Sequence, residues 1–257
     1  MSTEFPRASA IVARLDRVDQ SGSTNADLMA HVLDPAGWPH LSVLLTDNQT
    51  AGRGRLDRRW VAPAGSALAI SVLLRTLPST STARGWVPLV AGLAMAEAVE
   101  AQLPADRVVG VKWPNDVLVD DRKICGILAQ AASDAVIVGA GVNTSMTAEQ
   151  LPVDTATSFT VCGSDADEDR LVADYLRILD GYLSALTASG DAVASGVHEA
   201  VTERCVTLGR RVRVSLSGDQ MLEARATGLD EDGRLIVSHD GVETAISAGD
   251  VVHVRPA

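Results

Sequence analysis

Apolar residues in this chain fall into short runs of two kinds. Leu41–Thr46 and Ala67–Leu74 are unbroken and rich in Leu, Val and Ile, which predicts buried strands. Between them, Asp47–Trp60 is polar and rich in Gly and Arg, and reads as a loop. Other segments carry helical periodicity. Ser23–Leu33 places Leu28, Val32 and Leu33 near one face behind capping hydroxyls at Ser23 and Thr24. Arg84–Gln102 predicts a long Ala-rich helix ending before Pro104, and Leu171–Leu186 and Val193–Cys205 predict two more. Val108–Trp113 is a strand held extended at its end by Pro114. Val117–Val119 and Lys123–Ala129 predict a hairpin turning at Asp120–Arg122, and Ala135–Val142 a further strand.

After Leu208 the rhythm changes. Arg211–Leu216, Leu222–Gly228, Arg234–Ser238 and Val251–Val254 are short alternating segments separated by turn residues at Ser217–Gly218, Asp232–Gly233 and Ala248–Gly249. Four or five such strands in so short a stretch suggest a small antiparallel barrel. The fold class is therefore α+β: a mixed β-sheet with helices over residues 18–205, preceded by a tail, 1–17, and followed by the small barrel, 206–257.

Composition sharpens this. Aromatics are 3% of the 257 residues, so the core must rest on Val, Leu, Ala and Ile. The net charge of −11 is the wrong sign for a duplex-binding protein, which argues against nucleic acid as a partner. Cys125, Cys162 and Cys205 are widely separated, which fits neither a disulfide framework nor a zinc site. Glu4, Pro6 and Arg7 stand where a signal peptide would be apolar, and no run is long enough to span a bilayer, so a cytoplasmic protein without membrane attachment is expected.

Against that acidic background, Arg53, Arg55, Arg58 and Arg59 crowd one short loop, with Gly52 and Gly54 between and before them. Alternating Gly and Arg describes either a solvated basic loop or a mobile one that wraps a phosphate or carboxylate in guanidinium forks. It is neither a P-loop nor Gly-x-Gly-x-x-Gly, since Asp57 holds the last position. Lys112 ends the apolar strand VVGVK, where its ammonium must either reach water or meet an anion. Asp116 is a turn aspartate, a metal ligand or a partner for Lys112; Lys123 adds a second cation across the hairpin. Ser21–Asn25 can cap a helix or offer Ser23, Thr24 and Asn25 to a neutral polar ligand, and Gln49 has the same ambiguity. Gly139 and Gly141 end a buried strand, as a tight exit or a place where a ligand approaches backbone. No hydrolase elbow or His-based arrangement is present, and none of the five histidines is given a role.

Taken together, SGSTN (21–25), NQTAGRGR (48–55) with Trp60, VKWPND (111–116), RKICGIL (122–128) and VGAGVN (138–143) resemble the biotin protein ligases in order and rough spacing, over about residues 17–257. The resemblance implies an SH3-like C-terminal barrel and a two-step reaction. Biotin's carboxylate attacks the α-phosphate of MgATP to give biotinyl-5′-adenylate, and a lysine of a biotin carboxyl carrier domain then takes the biotinyl group. It further implies that Lys112, Arg53, Arg55 and Asp116 are catalytic, with Asp116 the candidate for Mg²⁺. Biotin would be held by Ser23, Thr24, Asn25, Gln49, Gly52, Arg53, Lys112, Trp113, Gly126, Gly139 and Gly141, and ATP by Arg53, Arg55, Trp60, Asn115, Lys123 and Asn143. Trp60 is expected on the nucleotide side of the pocket and Trp113 on the biotin side. The chain departs from the family pattern at Asp57, where a glycine is commoner, and at Gln130, where Glu is common and to which no role is given. Too few residues precede the ligase segment for the winged helix-turn-helix of some members, so no repressor activity is expected. A lipoate or octanoate enzyme of the same fold, or a non-catalytic biotin sensor, are the alternatives. A monomer or a homodimer is expected.

Overall fold

The computed structural model describes residues 4–55, 58–215, 221–247 and 251–254. Asp57 and the turns expected at Ser217–Gly218 and Ala248–Gly249 lie outside the described residues. In chain order the elements are α1 (Pro6–Ser9), β1 (Leu15–Arg17), α2 (Thr24–Met29), β2 (Ser42–Thr46), β3 (Gly52–Arg53), β4 (Arg59–Trp60), β5 (Ala67–Leu74), α3 (Ser81–Gly85), α4 (Val87–Glu100), β6 (Val109–Lys112), β7 (Asp116–Val119), β8 (Arg122–Ala132), β9 (Ala135–Asn143), α5 (Glu168–Ser189), α6 (Val197–Arg204) and β10 (Arg211–Ser215). They continue as β11 (Met221–Leu229), β12 (Leu235–His239), β13 (Val242–Ile246) and β14 (Val251–His253).

The main sheet has the strand order β1-β2-β5-β9-β8-β7-β6. Only β1 and β2 pair in parallel, so the sheet is mixed, as expected. The two faces are built differently. On one, Ile70, Val72, Val111, Val117, Cys125, Val138, Ala140 and Val142 are buried in one cluster with α4 and α5. On the other, Leu44, Leu73 and Ile137 are covered by Leu28 and Val32 beside α2. Small residues follow along the same strands: Ala69, Ser71, Gly126, Gly139 and Gly141. The cross-strand pairs Lys112↔Asp116, Asp116↔Gly126, Gly126↔Gly141 and Gly141↔Ala69 set Ala69, Gly126 and Gly141 in one row with Lys112 and Asp116, and Ser71↔Gly139 forms part of the next. Strand alternation thus makes one face a core and leaves half of the other as a floor.

The β7–β8 hairpin turns through Asp120 (φ 48°) and Asp121 (φ 63°), both left-handed, which matches the twist of the two strands. The second sheet runs β13-β12-β11-β10-β14, entirely antiparallel. Its β13 supplies the fifth strand; most of its residues are exposed, so it carried no alternation to read.

Three helical expectations are corrected. The helix at Ser23 ends at Met29, and Leu33 is 88% exposed rather than on the packed face. The helix expected over Arg84–Gln102 is divided at Trp86 into α3 and α4. Pro88 can occupy only the first turn of a helix, because further along it would lose a backbone bond and clash with the preceding turn. Gly85 also faces the second sheet: a Cβ there would lie 2.7 Å from the Asp232 carbonyl oxygen. The helix expected from Val193 starts at Val197, after Gly196 at φ 77°.

The linker between the sheets is itself anchored. Cys205 bridges Val111 in parallel, and the Val206 N–H donates to the Val111 carbonyl at 3.0 Å, so residues 205–206 run along the edge of β6. Trp86 Nε1 donates to Glu231 O at 2.7 Å, joining α4 to the β11–β12 turn.

Candidate active site

A cleft of about 260 Å³ opens over the small-residue floor. Gly126, Gly139 and Gly141 each lie beneath a different side chain. A Cβ on Gly139 would collide with the Asn25 amide, one on Gly141 would lie 2.7 Å from the Trp60 ring, and one on Gly126 would lie 2.9 Å from Lys123 Nζ. Three sheet positions without Cβ atoms therefore let an amide, an indole and an ammonium approach the backbone.

At the α2 end the lining is neutral and tightly bonded. The Ser23 hydroxyl caps α2 by accepting from Ala26 N. Gln49 Oε1 accepts from Thr24 N at 2.9 Å and from Thr24 Oγ1 at 3.1 Å. Asn25 Nδ2 donates to Gln130 Oε1 at 2.8 Å and Leu128 O at 3.2 Å, while Ser71 Oγ lies 2.6 Å from Asn25 Oδ1. These buried polar groups hold one another in fixed orientations. Ser71 and Gln130 were not anticipated as part of the site. Ser71 was visible as the one hydroxyl in the apolar run ALAISVLL; Gln130 gave no such signal.

The other end is cationic. Arg53, Arg55, Arg58, Arg59, Lys112 and Lys123 line the cleft, against the single carboxylate of Asp116 among the described lining residues. Lys123 Nζ and Asp116 Oδ1 are 2.6 Å apart. Among the described residues Lys112 makes no side-chain hydrogen bond or ion pair. Burial pushes its pKa below the ordinary lysine value, Asp116 opposes that, and Lys123 and Arg58 add to it. Burial likewise lowers the Arg55 guanidinium, with Asp116 opposing. Arg55 Nη1 donates to Asn115 Oδ1 at 3.0 Å, and Asn115 Nδ2 donates to Ile127 O at 2.7 Å. Arg53 is exposed in the short β3–β4 hairpin. A cation crowd with one carboxylate between its members favours a ligand carrying several negative charges.

Every site residue singled out from sequence lines the cleft except Gly52 and Asn143. Gly52 pairs with Trp60 across β3–β4, where a Cβ would lie 2.7 Å from the Trp60 carbonyl oxygen. Asn143 is buried away from the lining, its Nδ2 donating to Thr157 O at 2.9 Å, so its role in the structure is to tie the end of β9 to the following loop. Trp113 is 2% exposed, and its Nε1 donates to Gly233 O at 2.9 Å. Trp60 lies against Gly141. From the second sheet, Val251 and Val252 also line the cleft, which no local pattern could have announced. Among the described residues there is no group of three His, Cys, Asp or Glu side chains able to hold a metal ion, so Asp116 is a lone candidate.

Residues 19–143 match the biotin/lipoate A/B protein ligase family, and residues 207–254 match the biotin protein ligase C-terminal domain. The chain is 39% identical to the biotin–[acetyl-CoA-carboxylase] ligase of Mycobacterium tuberculosis, over 94% of this chain and 90% of that protein. It is 31% identical to the bifunctional ligase/repressor BirA of Escherichia coli, over 80% of this chain and 64% of that protein. Among solved structures it resembles the biotin protein ligase from Aquifex aeolicus in complex with biotin and ATP, with a TM-score of 0.76 and 25% identity over 95% of this chain and 100% of that one. With that likeness running nearly end to end, through both sheets and the cleft between them, the chain belongs to the biotin protein ligase family and is a ligase.

Proposed function

We propose that the cleft joins biotin to AMP and then passes the biotinyl group to a lysine of a biotin carboxyl carrier domain. The observation that carries this reading is the division of one cleft into a neutral, amide- and hydroxyl-lined end over bare glycine backbone and an end crowded with cations. A ring with a polar, uncharged head fits the first, and a carboxylate approaching a polyphosphate fits the second. In the first step a carboxylate oxygen bonds the α-phosphorus and pyrophosphate leaves with the broken P–O bond. In the second, the carrier lysine's amine bonds the acyl carbon, loses a proton and releases AMP.

Placement supports the following roles. Lys112, without a described partner, is the cation free to meet both reacting anions, and fixed donors at such a point contribute roughly 3 kcal/mol each. Lys123 reaches phosphate from its pair with Asp116. Arg53 and Arg55 close over the adenylate and exclude water. Thr24, Asn25 and Gln49 hold the neutral head, with Ser71 and Gln130 orienting Asn25. Asp116 would supply the protein carboxylate to a Mg²⁺ held mainly by the nucleotide's phosphates, and the ion would offset their negative charge. A cytoplasmic location is consistent with the three free cysteines and with the absence, among described residues, of a helix long and apolar enough to cross a membrane. A net charge of −11 disfavours repressor binding to a duplex. The linker at Cys205 and Val206 supports a division into a catalytic unit, 18–205, and a C-terminal barrel, 206–257.

The test is to mix the protein with biotin, MgATP and an acyl carrier domain and to follow pyrophosphate release and labelling of the carrier. Biotin-dependent release with labelling is expected. Release with lipoate or octanoate but not biotin would replace this reading with the lipoate one, and biotin binding without release would make the protein a sensor.

A further inference from the structure

The end of β6, which carries Lys112, is held from the second sheet by a three-member hydrogen-bond chain. Trp113 N donates to Thr207 Oγ1 at 2.9 Å, and Thr207 Oγ1 lies 3.1 Å from His253 Nε2. Thr207 is fully buried, and both it and the Trp113 N–H are away from water. A threonine hydroxyl has one proton to give. Its oxygen accepts from Trp113, and a neutral His253 with Nε2 unprotonated can take that proton, whereas a protonated Nε2 would donate to the second lone pair of the hydroxyl. The first link has a fixed direction, from the Trp113 N–H to the Thr207 hydroxyl, and the second joins that hydroxyl to the imidazole. On the far side of the same residue, the Trp113 indole donates to Gly233 O at 2.9 Å, so the residue after Lys112 is fixed by both main chain and side chain.

We propose that Thr207 and His253 are positioning residues for Lys112: their hydrogen-bond chain fixes the end of β6 so that the ammonium stands in the cleft rather than turning to solvent. The inference rests on the adenylating role given to Lys112 above. Two features support it. Lys112 has no described partner of its own, so its position is set by the strand that bears it. His253 is half-buried, and burial, helped by the positive fields of Lys112 and Arg210 and opposed by Asp121, holds it neutral, its pKa pushed down to about 4. In an imidazolium there both ring nitrogens would donate, and the Thr207 hydroxyl would have to accept twice. His253 thus serves as an uncharged partner beside a lysine whose charge it neither cancels nor shares.

The experiment compares Thr207→Val, Thr207→Ser, His253→Leu and His253→Gln in the full-length protein by three readouts: biotin-dependent ATP–pyrophosphate exchange, thermal melting, and the pH midpoint of Lys112 acetylation by acetic anhydride followed by mass spectrometry. Thr207→Val is expected to lower kcat for exchange about tenfold and to raise the Lys112 midpoint towards that of an ordinary lysine, as the strand end loosens and hydrates. Thr207→Ser and His253→Gln, which keep a hydroxyl and an acceptor, should restore both values, and His253→Leu should fall between. If folded Thr207→Val retains the wild-type kcat and Lys112 midpoint, the proposal is overturned. Loss of melting temperature without a shift in the midpoint overturns it equally, because a merely structural bond would act that way. If the midpoint shifts as expected while the wild-type protein shows no biotin-dependent exchange, the positioning stands and the adenylation reading fails.

Discussion

Lys123 Nζ sits 2.6 Å from Asp116 Oδ1 on neighbouring strands, directly above the Cβ-less backbone of Gly126. Asp116 is also the cross-strand partner of Lys112 in the β6–β7 ladder. One carboxylate is therefore ion-paired with one ammonium and acts through its charge on the other. It keeps the cationic end from repelling itself apart while leaving Lys112 available.

Replacing that carboxylate should move a titration. Asp116 raises the Lys112 pKa against burial, so Asp116→Asn removes the opposing effect and lowers it further. In the proposed reaction Lys112 acts as the protonated cation, present below its pKa and lost above it. The alkaline limb of a kcat/KM–pH profile is thus expected to shift to lower pH in Asp116→Asn, and an unmoved limb would separate Lys112 from the rate.

Lys112→Ala should abolish adenylate formation while sparing the fold, because the side chain has no described partner to strand. A loss on the order of 10²–10³ in pyrophosphate release is expected for removal of one preorganised charge donor. Full activity in this variant would remove Lys112 from the mechanism.

Arg53→Ala should loosen retention of the intermediate. Arg53 is exposed on a two-residue hairpin strand, so its loss is not expected to unfold anything. Adenylate formed in a single turnover and chased with unlabelled biotin should escape several-fold faster than from the wild type; equal escape would end the lid role.

Gly141→Ala tests the floor. The added methyl would lie 2.7 Å from the Trp60 ring, which must move. Because Trp60 is on a short surface hairpin, stability should change little, whereas affinity for biotin, measured by calorimetry, should weaken tenfold or more.

Acid should act through His253. Its folded pKa, about 4, lies below the ordinary histidine value near 6.5, so the neutral form is the one the fold favours. The associated stability is present above about pH 6.5 and is lost progressively as pH falls towards 4. Melting temperatures measured across that window should fall less steeply in His253→Gln than in the wild type.

The sequence by itself determined the strands that hold the floor and most of what lies on it. Alternation along β5 and β9 sends Leu68, Ile70, Val72, Val138 and Val142 to one face and Ala69, Ser71, Gly139 and Gly141 to the other, and that is a local property of a period-two chain. The crowding of Arg53, Arg55, Arg58 and Arg59, the lysine closing an apolar strand and the hydroxyls before α2 were equally local, since each is costly or unusual without a purpose. Tertiary structure decided what those residues touch. Gln130 meets Asn25 across 105 positions of sequence, and Trp113 meets Thr207 across 94, pairings fixed by strand register and by the docking of the second sheet. The same docking set Gly85 and Trp86 against the β11–β12 turn, where the expected helix divides into α3 and α4, and brought Val251 and Val252 to the cleft. Propensity and periodicity act over a few residues, whereas burial and register act between segments that only the folded chain brings together.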